Sequence, residues 1–192
     1  AIKKSGSSSI KFPGSTGDFI KIPNDPKLNF LGSDFTVECW IYLNSIGGVN
    51  SYRTILTTRD SPTVNGGYAP LLIYEENGEI ELFSSSNGST WDIFSNKTFG
   101  KINANQWYHV VVERYGNEFI GYLDGVSTHL TTSSSSLMSL GTNSIRIGAH
   151  DDATYPYPFN GYIDRYRIVV GKAVYTSGAE QFTVPQKRFT SI

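Results

Sequence analysis

The stretch from Gln106 to Arg114 constrains this chain more than any other. It runs Trp107-Tyr108-His109-Val110-Val111-Val112, passes Tyr115-Gly116-Asn117, and returns as Glu118 to Gly125. Two β-strands joined by a tight Gly-Asn turn are predicted, the second ending in the hairpin dipeptide Asp124-Gly125. Successive side chains of a strand point to opposite faces. Tyr108, Val110 and Val112 therefore share one face, and Trp107, His109 and Val111 share the other. Both faces are largely apolar, the pattern of a central strand covered on both sides. One face should pack an inter-sheet core, and the other should lie under a groove or a covering element.

The rest of the chain repeats the strand signal in short pieces. Phe35 to Leu43 alternates strongly, with Phe35, Val37, Cys39, Ile41 and Leu43 on one face and Glu38, Trp40 and Tyr42 on the other. Shorter strands are predicted at Ser9–Phe12, Asp18–Pro23, Arg53–Thr58, Tyr68–Glu75, Glu79–Phe83, Trp91–Phe94, Lys97–Phe99, Val126–Thr131, Ile145–Gly148 and Gly161–Val170. Asn77-Gly78 marks a further hairpin. No segment sustains helical periodicity. About twelve strands separated by turns indicate an all-β sandwich or barrel.

Composition narrows the function classes. With 192 residues, 39% hydrophobic and 14% aromatic, the chain can bury a sizeable core as one domain. Residues 1–8 read as a flexible lead-in and residues 9–192 as a single domain. A net charge of −1 without Lys/Arg runs argues against nucleic-acid binding. No apolar stretch is long enough for membrane insertion, and no signal peptide is visible. The chain starts at Ala1 rather than Met, which suits a processed product or an excised fragment. Cys39 is the single cysteine, so an internal disulfide is impossible; on its apolar face it reads as a small buried hydrophobe.

Several stretches, taken in order, resemble the laminin-G-like, concanavalin A-like jelly roll. They are Ile10-Lys11-Phe12 with Gly17 to Pro23, Asp34 to Ile41, Trp107 to Val110 with Tyr122 to Gly125, and Ile145 to Gly148 with Gly161 to Ile168. The closing run Arg167 to Thr176, leading to Phe182-Thr183-Val184-Pro185, resembles the end of such domains in bacteriophage tail and other virion proteins. The resemblance implies a two-sheet antiparallel β-sandwich and a binding or structural module on a virion or extracellular surface. It also implies relatives that bind sugars or proteins, often with calcium, and some that cleave glycans. Asp18 and Asp164 match family positions near the sandwich rim, which makes them candidate calcium ligands.

Candidate sites can then be weighed residue by residue. The acidic triplet of laminarinase-type relatives, Glu-x-Asp-x-x-Glu, is incomplete here: Glu79-Ile80-Glu81-Leu82-Phe83-Ser84 lacks the Asp and the last Glu. Glu79 and Glu81 are expected on a solvated strand face, and the chain is not expected to be an enzyme. His109 is expected to be a satisfied structural residue and His129 exposed. Asp151 and Asp152 at a strand end offer oxygen ligands for calcium, or hydrogen-bond acceptors in a turn. Sugar rings have apolar faces and polar rims, so a glycan site needs aromatic platforms beside hydrogen-bonding groups. Tyr155-Pro156-Tyr157-Pro158-Phe159 is the best such stretch, flanked by Asp151, Asp152 and Asn160. Tyr52-Arg53 and Trp91 lie in or near other loops and complete the candidate ligand site. The competing reading is that these rings cap the sandwich or fill a subunit contact.

Two functions follow as expectations. One is a non-enzymatic binding module that recognises a glycan or a surface protein. The other is a structural role, in which the chain forms a homo-oligomer or packs against other virion proteins.

Overall fold

A computed structural model describes residues 2–4, 8–59, 67–150, 154–175 and 181–186. Twelve strands form among them: β1 Ile10–Pro13, β2 Ile20–Ile22, β3 Phe35–Leu43, β4 Arg53–Thr57, β5 Leu72–Glu76, β6 Glu79–Ser84, β7 Phe94–Lys101, β8 Trp107–Tyr115, β9 Glu118–Leu123, β10 Val126–Thr132, β11 Ile145–Ile147 and β12 Asn160–Val170. They build two antiparallel six-stranded sheets, ordered β1-β12-β3-β8-β9-β10 and β2-β11-β4-β5-β6-β7. This is the expected sandwich.

β3 and β8 lie at the centre of the first sheet, with Cys39 opposite Val110 and Trp40 opposite His109. Phe35, Val37, Cys39, Ile41, Tyr108, Val110 and Val112 point inward and meet Ile55, Leu56, Ile73, Ile80, Leu82 and Phe99 of the second sheet. The alternation read from the sequence places these residues correctly, because a strand buried on one face must carry its apolar set at every second position. Burial pushes the Cys39 thiol well above the usual range, so it stays protonated in the core.

The outward face of β3 and β8 is also covered, and the cover comes from the chain's late residues. The Tyr175 and Phe182 rings stack at 3.9 Å and 9°. Phe182 meets Tyr122 at 5.2 Å and His109 at 6.0 Å, edge to face. Beneath them Glu38 is buried and accepts from the Tyr175 hydroxyl at 2.6 Å, from Arg167 Nε at 2.6 Å, and from His109 Nε2 at 3.0 Å. Glu113 is buried beside it and accepts from Thr36 Oγ1 at 2.6 Å and from the backbone amides of Val174 and Tyr175. Near the other end of the chain, Lys4 Nζ sits 3.8 Å from the centre of the Trp40 ring. His109 is thus a buried structural residue bonded to Glu38 through Nε2, and His129 is exposed and bonded to Glu118 at 2.7 Å.

Three local expectations are corrected. Trp91 and Asp92 belong to a loop, and β7 starts only at Phe94, because the Asp92 carboxylate accepts from the Ser86 amide and side chain and holds the segment as a turn. Tyr68 also lies outside a strand, since β5 begins at Leu72. Phe159 is no presented platform. It is fully buried in the core and meets Phe12 edge to face at 5.9 Å.

Candidate functional site

β5 and β6 are joined by the Asn77-Gly78 turn, with both residues at positive φ. The hairpin register sets Leu72 opposite Phe83 and Tyr74 opposite Glu81. Ile73, Ile80 and Leu82 enter the core, so Leu72, Tyr74, Glu81 and Phe83 point away from it, onto the outer face of the second sheet. A second apolar cluster forms there. Ala69, Leu72 and Tyr74 are buried, and Tyr52, Phe83, Trp91 and Tyr157 pack against them while keeping part of their surface exposed.

The rings meet mostly edge to face, the arrangement favoured by their quadrupoles. Tyr52 lies 5.1 Å from Tyr157 and 5.3 Å from Tyr74, and Phe83 lies 5.4 Å from Trp91. Tyr68 extends the row with a contact to Trp91 at 5.0 Å. Between them is a cavity of about 120 Å³, lined by Tyr52, Arg59, Leu72, Tyr74, Phe83, Trp91 and Tyr157. Its polar edge is built by Arg59 and the buried His150. Arg59 Nε donates to His150 Nδ1 at 3.4 Å, which leaves the Nε2 hydrogen for the Tyr74 oxygen at 2.7 Å. Burial, with Arg59 and Arg146 nearby, pushes the His150 pKa down to about 3, so the ring is neutral.

The loop carrying Tyr157 is tied to the sheet by its backbone. The Tyr157 carbonyl accepts from the Thr54 amide at 2.9 Å and from Thr54 Oγ1 at 2.8 Å. The Pro156 carbonyl accepts from the His150 amide at 2.9 Å. The ring of Tyr157 is thereby held before any ligand arrives, at a residue whose φ is +41°.

Of the residues singled out from the sequence, Tyr52, Trp91 and Tyr157 come together in this patch, and Tyr155, 49% exposed, lies beside it with its ring 6.0 Å from Tyr157. Arg53 does not line the cavity; it is turned to Ser51 Oγ at 3.1 Å and to the Tyr52 carbonyl at 3.3 Å. Asn160 pairs with Asn44 at 2.9 Å at the start of β12, in the other sheet. Asp151 and Asp152 lie outside the described residues. Tyr74 and Phe83 lie inside strands, where a search for loop aromatics passes over them, while Arg59 and His150 lie in loops but are not aromatic platforms. The parity of the Asn77-Gly78 hairpin was the available signal for Tyr74 and Phe83.

Glu81 is a further correction. It is only 2% exposed, so it does not lie on a solvated face. Burial and the adjoining carboxylates of Glu76 and Glu79 raise its pKa to about 7.

The calcium candidates lie elsewhere. Asp18 and Asp164 each keep a buried Oδ2 without a hydrogen-bond partner, which is suitable chemistry for a cation. They sit on different sheets, however: Asp18 leads into β2, and Asp164 lies in β12 opposite Trp40. Among the described residues no three His, Cys, Asp or Glu side chains converge as metal ligands.

The laminin-G profile of the Concanavalin A-like lectin/glucanases superfamily matches residues 14–172. The chain belongs to that superfamily. Solved structures agree with the sandwich. Domain 4 of the GH43 extracellular arabinanase AbnA from Geobacillus stearothermophilus, in complex with arabinotriose, superposes with a TM-score of 0.58 at 19% identity, over 85% of this chain and 70% of that one. Mouse laminin alpha1 domains LG4-5 superpose with a TM-score of 0.58 at 12% identity, over 92% of this chain and 46% of that one. The heptameric SAP-like pentraxin of Limulus polyphemus gives 0.53 at 16% identity, over 83% and 74%. At these identities the likeness is one of fold. No curated protein matches the chain.

Proposed function

We propose that this concanavalin A-like domain is a non-enzymatic binding module that holds a glycan against the aromatic patch of Tyr52, Tyr74, Phe83, Trp91 and Tyr157. The convergence of these rings on the outer face of the second sheet carries the reading. Partly exposed rings match the apolar faces of sugars, and Arg59 supplies a polar donor at the rim. The opposite outer face is closed by Tyr175 and Phe182, which directs a ligand to this one. A domain of the same fold was solved with arabinotriose, in keeping with the proposal. A hydrolytic role is disfavoured by the carboxylates. The acidic triplet of laminarinase-type relatives is incomplete here, since Glu79-Ile80-Glu81-Leu82-Phe83-Ser84 lacks the Asp and the last Glu.

The setting we propose is a virion or other extracellular surface, on the resemblance of the Arg167 to Pro185 segment to virion proteins. Glycan-array binding, run with added calcium and with chelator, tests the function. Binding that is lost in Trp91→Ala and Tyr157→Ala supports the site; binding unchanged in Tyr157→Ala removes it. A stable oligomer that buries Tyr52 and Trp91 between copies, with no glycan bound, would instead favour the assembly role.

A further inference from the structure

Beside the aromatic patch, on the same outer face, lies a second pocket of about 190 Å³, lined by Val49, Glu76, Asn77, Glu79, Glu81 and Thr98. The two are contiguous: Glu81 stands opposite Tyr74 in the β5–β6 ladder, and Tyr52 feels the charges of both Glu81 and Glu76. Three carboxylates face this pocket. Glu79 is paired with the exposed Lys101 at 3.3 Å. Glu76 accepts from the Asn50 amide. Glu81 is different: it is 2% exposed, and its Oε2 has no hydrogen-bond partner. A buried carboxylate oxygen left without a donor is costly, and a group entering the pocket with N–H donors would satisfy it.

Resting on the glycan reading above, we infer that the Glu76–Glu79–Glu81 pocket is a subsite for an ammonium group, so the preferred glycan carries a free amine next to the sugar ring held by Tyr52 and Trp91. A neutral hydroxyl would give one donor and leave the acidic cluster uncompensated. An ammonium gives three donors and a positive charge, and charge-assisted bonds to carboxylates are the stronger kind. The neighbouring Tyr52 ring adds a favourable face for a cation. The charged and titratable groups around Glu81 are Glu76 and Tyr74 of β5, Glu79 of its own strand, Tyr52 before β4 and Lys101 of β7. None of the cations among them reaches Glu81 Oε2. Below its raised pKa of about 7 the Glu81 carboxyl holds a proton, and an arriving ammonium would drive that proton off to the buffer.

Three β-1,4-linked tetramers that differ only at C2 test this: cellotetraose with hydroxyl, the N-acetylglucosamine tetramer with acetamide, and the glucosamine tetramer with amine. Calorimetry at pH 5.5, where the glucosamine amines are charged, in two buffers of different ionisation enthalpy, reads both affinity and proton release. We expect the glucosamine tetramer to bind about tenfold or more tighter than cellotetraose. We also expect its binding heat to depend on the buffer through released protons. In Glu81→Gln and Glu76→Gln the affinity ratio should fall towards one and the buffer dependence attributable to the protein should vanish. Trp91→Ala should weaken all three ligands. Equal affinities for the three tetramers, or a preference that survives Glu81→Gln, overturn the ammonium subsite while leaving the glycan reading in place. Binding of none of the three overturns both.

Discussion

The rings of Tyr52 and Tyr157 meet edge to face at 5.1 Å, although one precedes β4 and the other precedes β12. The contact joins two loops distant in sequence into one surface, and Thr54 locks it by donating to the Tyr157 carbonyl through both its amide and its hydroxyl. Replacing Trp91 or Tyr157 with alanine is expected to weaken glycan binding by about tenfold or more, since a platform residue supplies much of the contact area. Titration calorimetry with the best array ligand checks this, and circular dichroism should show an intact sandwich.

Glu38 lies buried among His109, Arg167 and Tyr175. Tyr175→Phe removes one charge-assisted donor and should cost about 1.5–3 kcal/mol. Glu38→Ala leaves Arg167 and His109 facing each other without their acceptor and should cost about 3–5 kcal/mol. Urea denaturation gives both numbers. A Tyr175→Phe protein as stable as the parent would show that the late segment does not fasten the first sheet.

Stability should depend on pH through Glu81. Its pKa is raised in the folded state from an ordinary 4.5 to about 7. Between those values the folded protein holds a proton that the unfolded chain has released, so this group's contribution falls as pH rises through the window and then levels off. His150 acts in the opposite sense: held near 3 when folded, it lowers stability as pH falls below its ordinary 6.5. Glu81→Gln isolates the first effect. The variant should be more stable than the parent at pH 8, by on the order of 1–3 kcal/mol, and nearly equal to it at pH 4.5. Denaturant midpoints at the two pH values decide it.

Gly121 in β9 faces Phe99 of the opposite sheet so closely that a Cβ there would stand 2.6 Å from the ring. Gly121→Ala should therefore cost about 1–3 kcal/mol through overpacking. Adding Phe99→Leu should recover part of the loss, which a double-mutant cycle would measure.

Phe159 and Tyr155 are close in sequence but opposite in role. Phe159→Ala should lower stability by about 3–5 kcal/mol, because the ring is fully buried, whereas Tyr155→Ala should change stability by less than about 0.5 kcal/mol. Thermal melts of the two variants separate the cases.

Much of the frame is legible in the order of residues alone. The alternation in Phe35–Leu43 and Gln106–Arg114 assigns each side chain to a face, and Asn77-Gly78 and Gly116-Asn117 mark turns that do form. The candidate site is legible only in part. Tyr52, Trp91 and Tyr157 stand out as aromatics in or near loops, whereas Tyr74 and Phe83 are hidden inside strands. Phe159 shares a loop with Tyr157, and nothing local distinguishes a ring that turns inward from one that stays at the surface.

What the chain determines by itself is therefore periodic and local: strand positions, inward and outward faces, tight turns, and the protonated, inert character of Cys39. These depend on steric rules that act between residues a few positions apart. What only the tertiary structure decides is which outward face is closed and which stays accessible. Tyr175 and Phe182 cover the first sheet because Glu38, Glu113 and His109 offer them partners there. The second sheet gathers Tyr52, Trp91 and Tyr157 with Tyr74 around a cavity, with the buried Glu81 alongside. Such contacts join residues far apart in the chain, so their energies arise only once the sheets have paired and packed.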